Sequence, residues 1–172
     1  MQRTLRLQIC FAAISVALLA NAAVAQGRCA NANGSGAALG ADVAQTTIRC
    51  LLNDARHDRG ARKLKQRDAL DGAAQFHAIE MAGLGYFSHT SPSGEGPSDR
   101  AKDFGYLRGG KGTVAEVIGA GTQWSPRAVV NAWLASGPHR AAVLSRRYRH
   151  VGVGVGVTSS GLVFYSVSLG DR

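Results

Sequence analysis

Val151-Gly-Val-Gly-Val-Gly-Val157 alternates without a break between a branched apolar side chain and no side chain at all. A period of two puts the valines on one face of a β-strand and Gly152, Gly154 and Gly156 on the other. The bare face lets another backbone or an aromatic ring approach closely. These glycines lie within a strand and not at a strand-to-helix turn, which argues against dinucleotide binding. Outward from this strand, Thr158 to Gly161 turn the chain, and Leu162 to Leu169 return it as the second arm of a hairpin. Thr113 to Ile118 reads as a third strand. The sequence therefore predicts an α+β fold, a small antiparallel sheet with helices on both sides.

The helices come from the 3.6-residue period. In residues 42–59, Ala44, Ile48, Leu51, Leu52 and Ala55 form one apolar face. Asp42 and Gln45 have the spacing of a capping box, and Gly60 supplies the stop. Asn53 and Arg56 lie beside the stripe, either as solvated polar groups or as a buried pair holding a neighbouring loop. Residues 68–83 form a second helix, with Asp68 as N-cap and Leu70, Ala74, His77 and Met81 on one face. His77 in that setting reads as a core histidine. Pro97 sits at a helix start, where its missing N–H costs nothing, and two turns run from Ser98 to Phe104. Residues 107–112, rich in Gly and Lys, read as a mobile loop. Ser125-Pro126 opens a third long helix whose core face is Val129, Val130, Trp133 and Leu134. Gly137-Pro138 breaks it and starts a short helix from His139 to Leu144.

Between the second helix and Pro97 runs Gly85-Tyr-Phe-Ser-His-Thr-Ser-Pro-Ser-Gly-Glu-Gly96, a loop by composition. Aromatics and a histidine in a loop need a cause for their order, and loops held by a scaffold carry function. His89 is the candidate, and Arg100 points from the following helix towards whatever the loop encloses. Glu116 lies inside an apolar strand, where an unpaired carboxylate would be costly. His139 sits at a helix N-terminus, whose positive end favours a neutral imidazole, as a ligand or as a filler between helices. Convergence of His89, Glu116 and His139 in one cleft satisfies all three. Two imidazoles and a carboxylate would also suit a divalent metal such as zinc, with the fourth position open.

Residues 1–25 have the parts of a signal peptide: Arg3 and Arg6, an apolar run from Ile9 to Ala20, and Ala23-Val24-Ala25 as a small-x-small cleavage site. The apolar run is too short for the ~20 residues of a spanning helix, so no transmembrane segment is expected after cleavage. Residues 26–40 read as a poorly ordered arm and 41–172 as one domain. Cys10 leaves with the leader. Cys29 and Cys50 remain, and export favours a disulfide between them over two free thiols. Without the leader the chain has 18 basic and 11 acidic side chains, a net charge of +7. That charge suits an anionic cell-envelope polymer or lipid, or simply keeps the surface solvated. No zinc-finger, helix-turn-helix or RNA-binding signature accompanies it, which argues against nucleic acid.

Taken in order, Leu52-Asn53-x-x-Arg56, Leu70-x-x-x-Ala74 with Met81, Phe87-Ser88-His89 with Pro92-x-Gly94 and Arg100, Gly105-Tyr106, Glu116, Trp133-x-x-Ser136-Gly137-Pro138-His139-Arg140 and Val151-Gly-Val-Gly-Val resemble the CAP superfamily. These are the cysteine-rich secretory, antigen and pathogenesis-related proteins, also called SCP domains, here in their short bacterial branch. The resemblance runs over residues 45–170 and implies an α-β-α sandwich. It also implies a central cleft of two histidines and two acids, of which His89, Glu116 and His139 would be three. The second acid would fall near Trp133-x-x-Ser136, where this chain has Ser136, and Val117 stands where many members have Asn. Divalent metals and sterols or lipids are ligands the resemblance implies, and most members are not established enzymes. Asn53, Arg56, Arg100 and Trp133 would support the cleft. Two functions follow. One is a secreted or periplasmic binding module for metal, lipid, envelope polymer or a protein partner. The other is a cell-envelope hydrolase using either metal-activated water or Ser136 with His139 as base. The sequence leaves enzymatic activity open.

Overall fold

The computed structural model describes residues 28–172. The expected leader, its Cys10 and the first two residues of the arm lie outside the described residues. The helices are α1 (Gly36–Leu39), α2 (Ala41–His57), α3 (Asp68–Leu84), α4 (Pro97–Asp103), α5 (Pro126–Ala135) and α6 (Gly137–Leu144). The strands are β1 (Lys65–Gln66), β2 (Val114–Thr122), β3 (His150–Val157) and β4 (Leu162–Gly170). The sheet order is β1-β3-β4-β2. β3 and β4 form the hairpin, with Val153 opposite Val167, and β2 pairs antiparallel with β4, with Glu116 opposite Ser168.

The two faces of β3 divide the molecule. Val151, Val153 and Val155 are buried with Val163, Tyr165, Val167 and Leu169 of β4 in the main core, against α2, α5 and α6. The glycine face lies on α3. A Cβ added at Gly154 would stand 2.1 Å from the Ala74 carbonyl oxygen, and one at Gly152 would stand 2.0 Å from the Leu70 carbonyl carbon. Helix and strand thus touch backbone to backbone, which only a strand without side chains allows. The architecture is the expected α-β-α sandwich, with α3 and α4 on one face.

Several local expectations shift. The sheet is mixed, because β1 joins β3 in parallel over two residue pairs. Two residues are too few for a readable period. What holds the approach to β1 is Asn53: its Oδ1 accepts from Leu64 N at 2.7 Å and its Nδ2 donates to Leu64 O at 3.3 Å. β2 runs beyond Ile118 to Thr122 because Gly119 and Gly121 leave room for Val129 and the Trp124 ring. The Asp42–Gln45 capping box does not form. Gly40 is the N-cap of α2, and Gln45 donates instead to Gln75 Oε1 at 2.6 Å. Arg67, not Asp68, caps α3. α6 begins at Gly137, so His139 is its third residue, and residues 107–112 hold a 3-10 turn at Arg108–Gly110 beside a buried Leu107. Residues 28–40 supply α1 and bury Cys29 and Ala32.

Cys29 and Cys50 form a disulfide, with Cα atoms 5.7 Å apart, tying this arm to α2. Trp133 donates from Nε1 to Ile118 O at 2.7 Å, fixing α5 on β2. Arg56 is fully buried with no carboxylate among its partners. Its guanidinium donates to the carbonyls of Arg62, Val143, Ser145 and Tyr148. Those of Val143 and Ser145 lie at the C-terminal end of α6, the negative end of its dipole. Burial lowers the Arg56 pKa.

Candidate functional site

On β2, Glu116 alternates with Val117 and so turns away from the main core towards α3 and α4. Its side chain is only 1% exposed. Oε1 accepts from Arg100 Nη2 at 3.0 Å and from Ser166 Oγ at 3.2 Å, while Oε2 lies 2.8 Å from His89 Nδ1. A carboxylate only accepts, so Nδ1 of His89 carries the proton and Nε2 keeps its lone pair. The His89 side chain is 48% exposed. One edge of this imidazole is therefore fixed from beneath and the other faces solvent, next to the exposed ring of Phe87.

Arg100 organises the loop as well as the acid. It is 2% exposed and donates to Ser91 Oγ at 3.2 Å, Glu95 O at 2.9 Å and His89 O at 2.8 Å. The loop is ordered because a buried guanidinium gathers its carbonyls, and the Ser91–Glu95 turn closes on itself through Ser91 N to Glu95 O at 2.9 Å.

Behind this pair lies a second layer. His77, fully buried on α3, donates from Nε2 to Ser88 O at 2.8 Å, since a carbonyl cannot donate. Its Nδ1 faces Tyr86 Oη at 3.3 Å and Glu80 Oε2 at 3.5 Å, and its Nε2 is 3.8 Å from Glu116 Oε2. Glu80 accepts from the Tyr86 hydroxyl and from Ser91 Oγ, the latter at 2.5 Å. Hydrogen bonds run from Glu116 through Arg100, Ser91, Glu80 and Tyr86 to His77, which approaches Glu116 without bonding to it. Burial is the main cause lowering the His77 pKa, with Arg100 assisting against the opposing pull of Glu116. Burial works to raise the Glu80 carboxyl, but hydrogen bonds from Ser91, Tyr86 and His77 outweigh it and hold it low. Burial and the bond to Glu80 push Tyr86 up to about 12. Glu80, Tyr86 and Ser91 were not among the sequence candidates. The signal available was Glu80 three residues after His77, one turn along the same helix.

The structure brings His89, Glu116 and Arg100 together. His139 sits on α6, which packs on α5 and β2, and the hydrogen bonds of Glu116 do not include it. Among the described residues, no three His, Cys, Asp or Glu side chains are grouped to hold a metal ion. Both Glu116 oxygens already accept from protein donors. Of the three residues His89, Glu116 and His139, the structure joins the first two directly, and Glu116 is the orienting carboxylate behind His89. Ser136 is the N-cap of α6 and its side chain makes no capping bond. Among the described residues no hydrogen bond joins it to His139, so the serine–base pair of the hydrolase reading is not assembled.

A buried acid on the edge strand, a loop histidine above it and a glycine-faced strand against the second long helix are the features on which known proteins can be compared. The model of the cysteine-rich secretory protein family, CAP, matches residues 51–169. The chain belongs to the CAP family. Over 104 residues the domain is 35% identical to the uncharacterized protein YkwD of Bacillus subtilis, a match covering 60% of this chain and 39% of that protein. An extracellular protein containing an SCP domain from Bacillus anthracis matches with a TM-score of 0.66 at 25% identity, over 77% of this chain and 41% of that one. An outer surface protein of Borrelia burgdorferi shares the fold, with a TM-score of 0.64 at 22% identity over 73% of this chain and 90% of that one. The CAP domain here thus spans well under half of the two Bacillus proteins.

Proposed function

We propose that this CAP domain is an exported binding module that engages a hydroxyl-bearing cell-envelope polymer through the face formed by His89 and Phe87, with Nε2 of His89 as the acceptor. The observation that carries it is the asymmetry of His89: Nδ1 is fixed on a buried acid and Nε2 is presented to solvent. An imidazole oriented in advance loses little freedom when it binds. The Glu116 charge is offset locally by Arg100, so His89 rests on a compensated acid. Export is supported by the leader-like residues 1–25, by the Cys29–Cys50 disulfide, which persists in oxidising compartments, and by the extracellular and outer-surface descriptions of two similar proteins.

Hydrolysis has less to stand on. His89 and Glu116 form a base with its orienting acid, but among the described residues no serine or cysteine hydrogen-bonds to His89 as a nucleophile would. The test is co-sedimentation of the full chain with purified bacterial sacculi and, separately, with phosphatidylglycerol vesicles. His89→Ala and Phe87→Ser should each weaken binding to sacculi at least ten-fold, with thermal unfolding showing that both variants remain folded. Binding by both variants equal to that of the parent would dismiss this face, and binding to vesicles alone would replace the polymer with lipid.

A further inference from the structure

A pocket of about 400 Å³ opens at the start of α3, and His89, Glu116 and Arg100 are not among its lining residues. Its walls carry Arg67, Arg108 and Arg172 against one carboxylate, Asp68. The α3 helix is 17 residues long and has no side-chain cap, so the N–H groups of Asp68 and Ala69 at its positive end face the pocket without an internal partner.

The independent observation is His150. This residue is 7% exposed and borders the pocket. Its Nδ1 is 2.8 Å from the Tyr106 hydroxyl, and that oxygen accepts from Arg172 N at 3.0 Å. With the phenol proton donated to Nδ1, the ring proton of a neutral His150 lies on Nε2. Among the described residues Nε2 has no hydrogen-bond partner, yet it is not a sealed, unsatisfied atom. It belongs to a nearly buried ring that lines the pocket. Burial, then Arg67, Lys65 and Arg149, lower the pKa of this ring and keep it in that neutral form.

We infer that this pocket binds the phosphate group of a phosphate ester, with Arg67 and Arg108 as the cationic arms and His150 Nε2 and the first N–H groups of α3 as donors. Guanidinium forks and helix N-termini both suit a tetrahedral oxyanion, and the volume leaves room for the alcohol side of an ester.

The experiment is a titration of inorganic phosphate, then glycerol 3-phosphate, into the full chain at constant ionic strength. The signals followed are the His150 imidazole and the amides of residues 68 and 69. One saturable site should shift all three together. Arg67→Gln should weaken it at least ten-fold, and Arg67→Gln with Arg108→Gln should abolish it. Lys63→Gln, remote from the pocket, should leave it unchanged. Both arginine side chains are exposed, so thermal unfolding should certify that these variants remain folded. A linear response without saturation, or equal affinity in Arg67→Gln, would overturn the site. Phosphatidylglycerol vesicles separate the two sources of the phosphate. Sedimentation with vesicles that is lost in Arg67→Gln assigns a lipid headgroup, and saturable glycerol 3-phosphate binding without sedimentation assigns a soluble or polymeric ester.

Discussion

Replacing Glu116 by Gln removes one charge and almost no volume, so its cost isolates the ion pair beneath His89. Arg100 would remain 2% exposed with three neutral acceptors, Ser91 Oγ, Glu95 O and His89 O. Breaking one partner of a buried pair costs about 3–5 kcal/mol, because the other charge is left uncompensated. The three surviving acceptors place this case at the lower end, about 3 kcal/mol. For a domain of this size that corresponds to a fall of roughly 6–12 °C in melting temperature. The amide brings a second conflict. Its NH₂ must face either the Arg100 guanidinium or the Nδ1–H of His89, donor against donor. His89 is the exposed and more adaptable of the two, so its proton should move from Nδ1 to Nε2, visible in imidazole ¹⁵N shifts. The assay is chemical denaturation of Glu116→Gln, Arg100→Met and the double variant, with the His89 tautomer read in parallel. The double variant should be less destabilised than the sum of the singles, with a coupling of about 2 kcal/mol. Additive losses, or a Glu116→Gln cost below about 1 kcal/mol, would show that Arg100 does not depend on this acid.

Arg56→Met should cost about 4 kcal/mol in denaturant unfolding, because it strips donors from the carbonyls of Arg62, Val143, Ser145 and Tyr148. A loss under about 1 kcal/mol would mean that water replaces the guanidinium. Gly154→Ala should cost about 3 kcal/mol, at the upper end for overpacking, since the new Cβ meets helix backbone at 2.1 Å and α3 must lift off β3. A variant as stable as the parent would refute the backbone-to-backbone contact. The lowered pKa of His77 makes stability fall with acid: the unfolded chain takes up a proton near its ordinary value of about 6.5 while the folded site resists, so folding weakens as pH drops below that point. His77→Gln should flatten the decline in unfolding free energy between about pH 7 and about pH 5, leaving the share of His150, which is lowered in the same sense. An unchanged slope would place the His77 proton elsewhere.

The fold was legible where one strong period had one structural meaning. Seven residues of β3 state both the strand and the close approach of α3, because nothing but a second backbone fills a face without side chains. β1 was not legible, since two residues carry no period and their place is set by Asn53 reaching across from α2.

The candidate site divides along a similar line. Glu116 could be found because it breaks a local rule, a carboxylate in an apolar strand, and Arg100 because its helix follows the loop and points it towards what the loop encloses. A broken rule demands a partner, and here it is Arg100. His77 broke no rule, as helical spacing put it on a core face where a satisfied imidazole is ordinary. Its partners Tyr86 and Ser88 come from a loop whose course no periodicity describes. His139 shows the converse. A helix start makes an imidazole available, but availability does not fix direction. α6 packs on β2, the strand that carries Glu116, yet among the described residues the hydrogen bonds of that acid go to Arg100, Ser166 and His89 and not to His139. Residues that must be compensated are therefore better guides to this CAP site than residues that merely could be ligands.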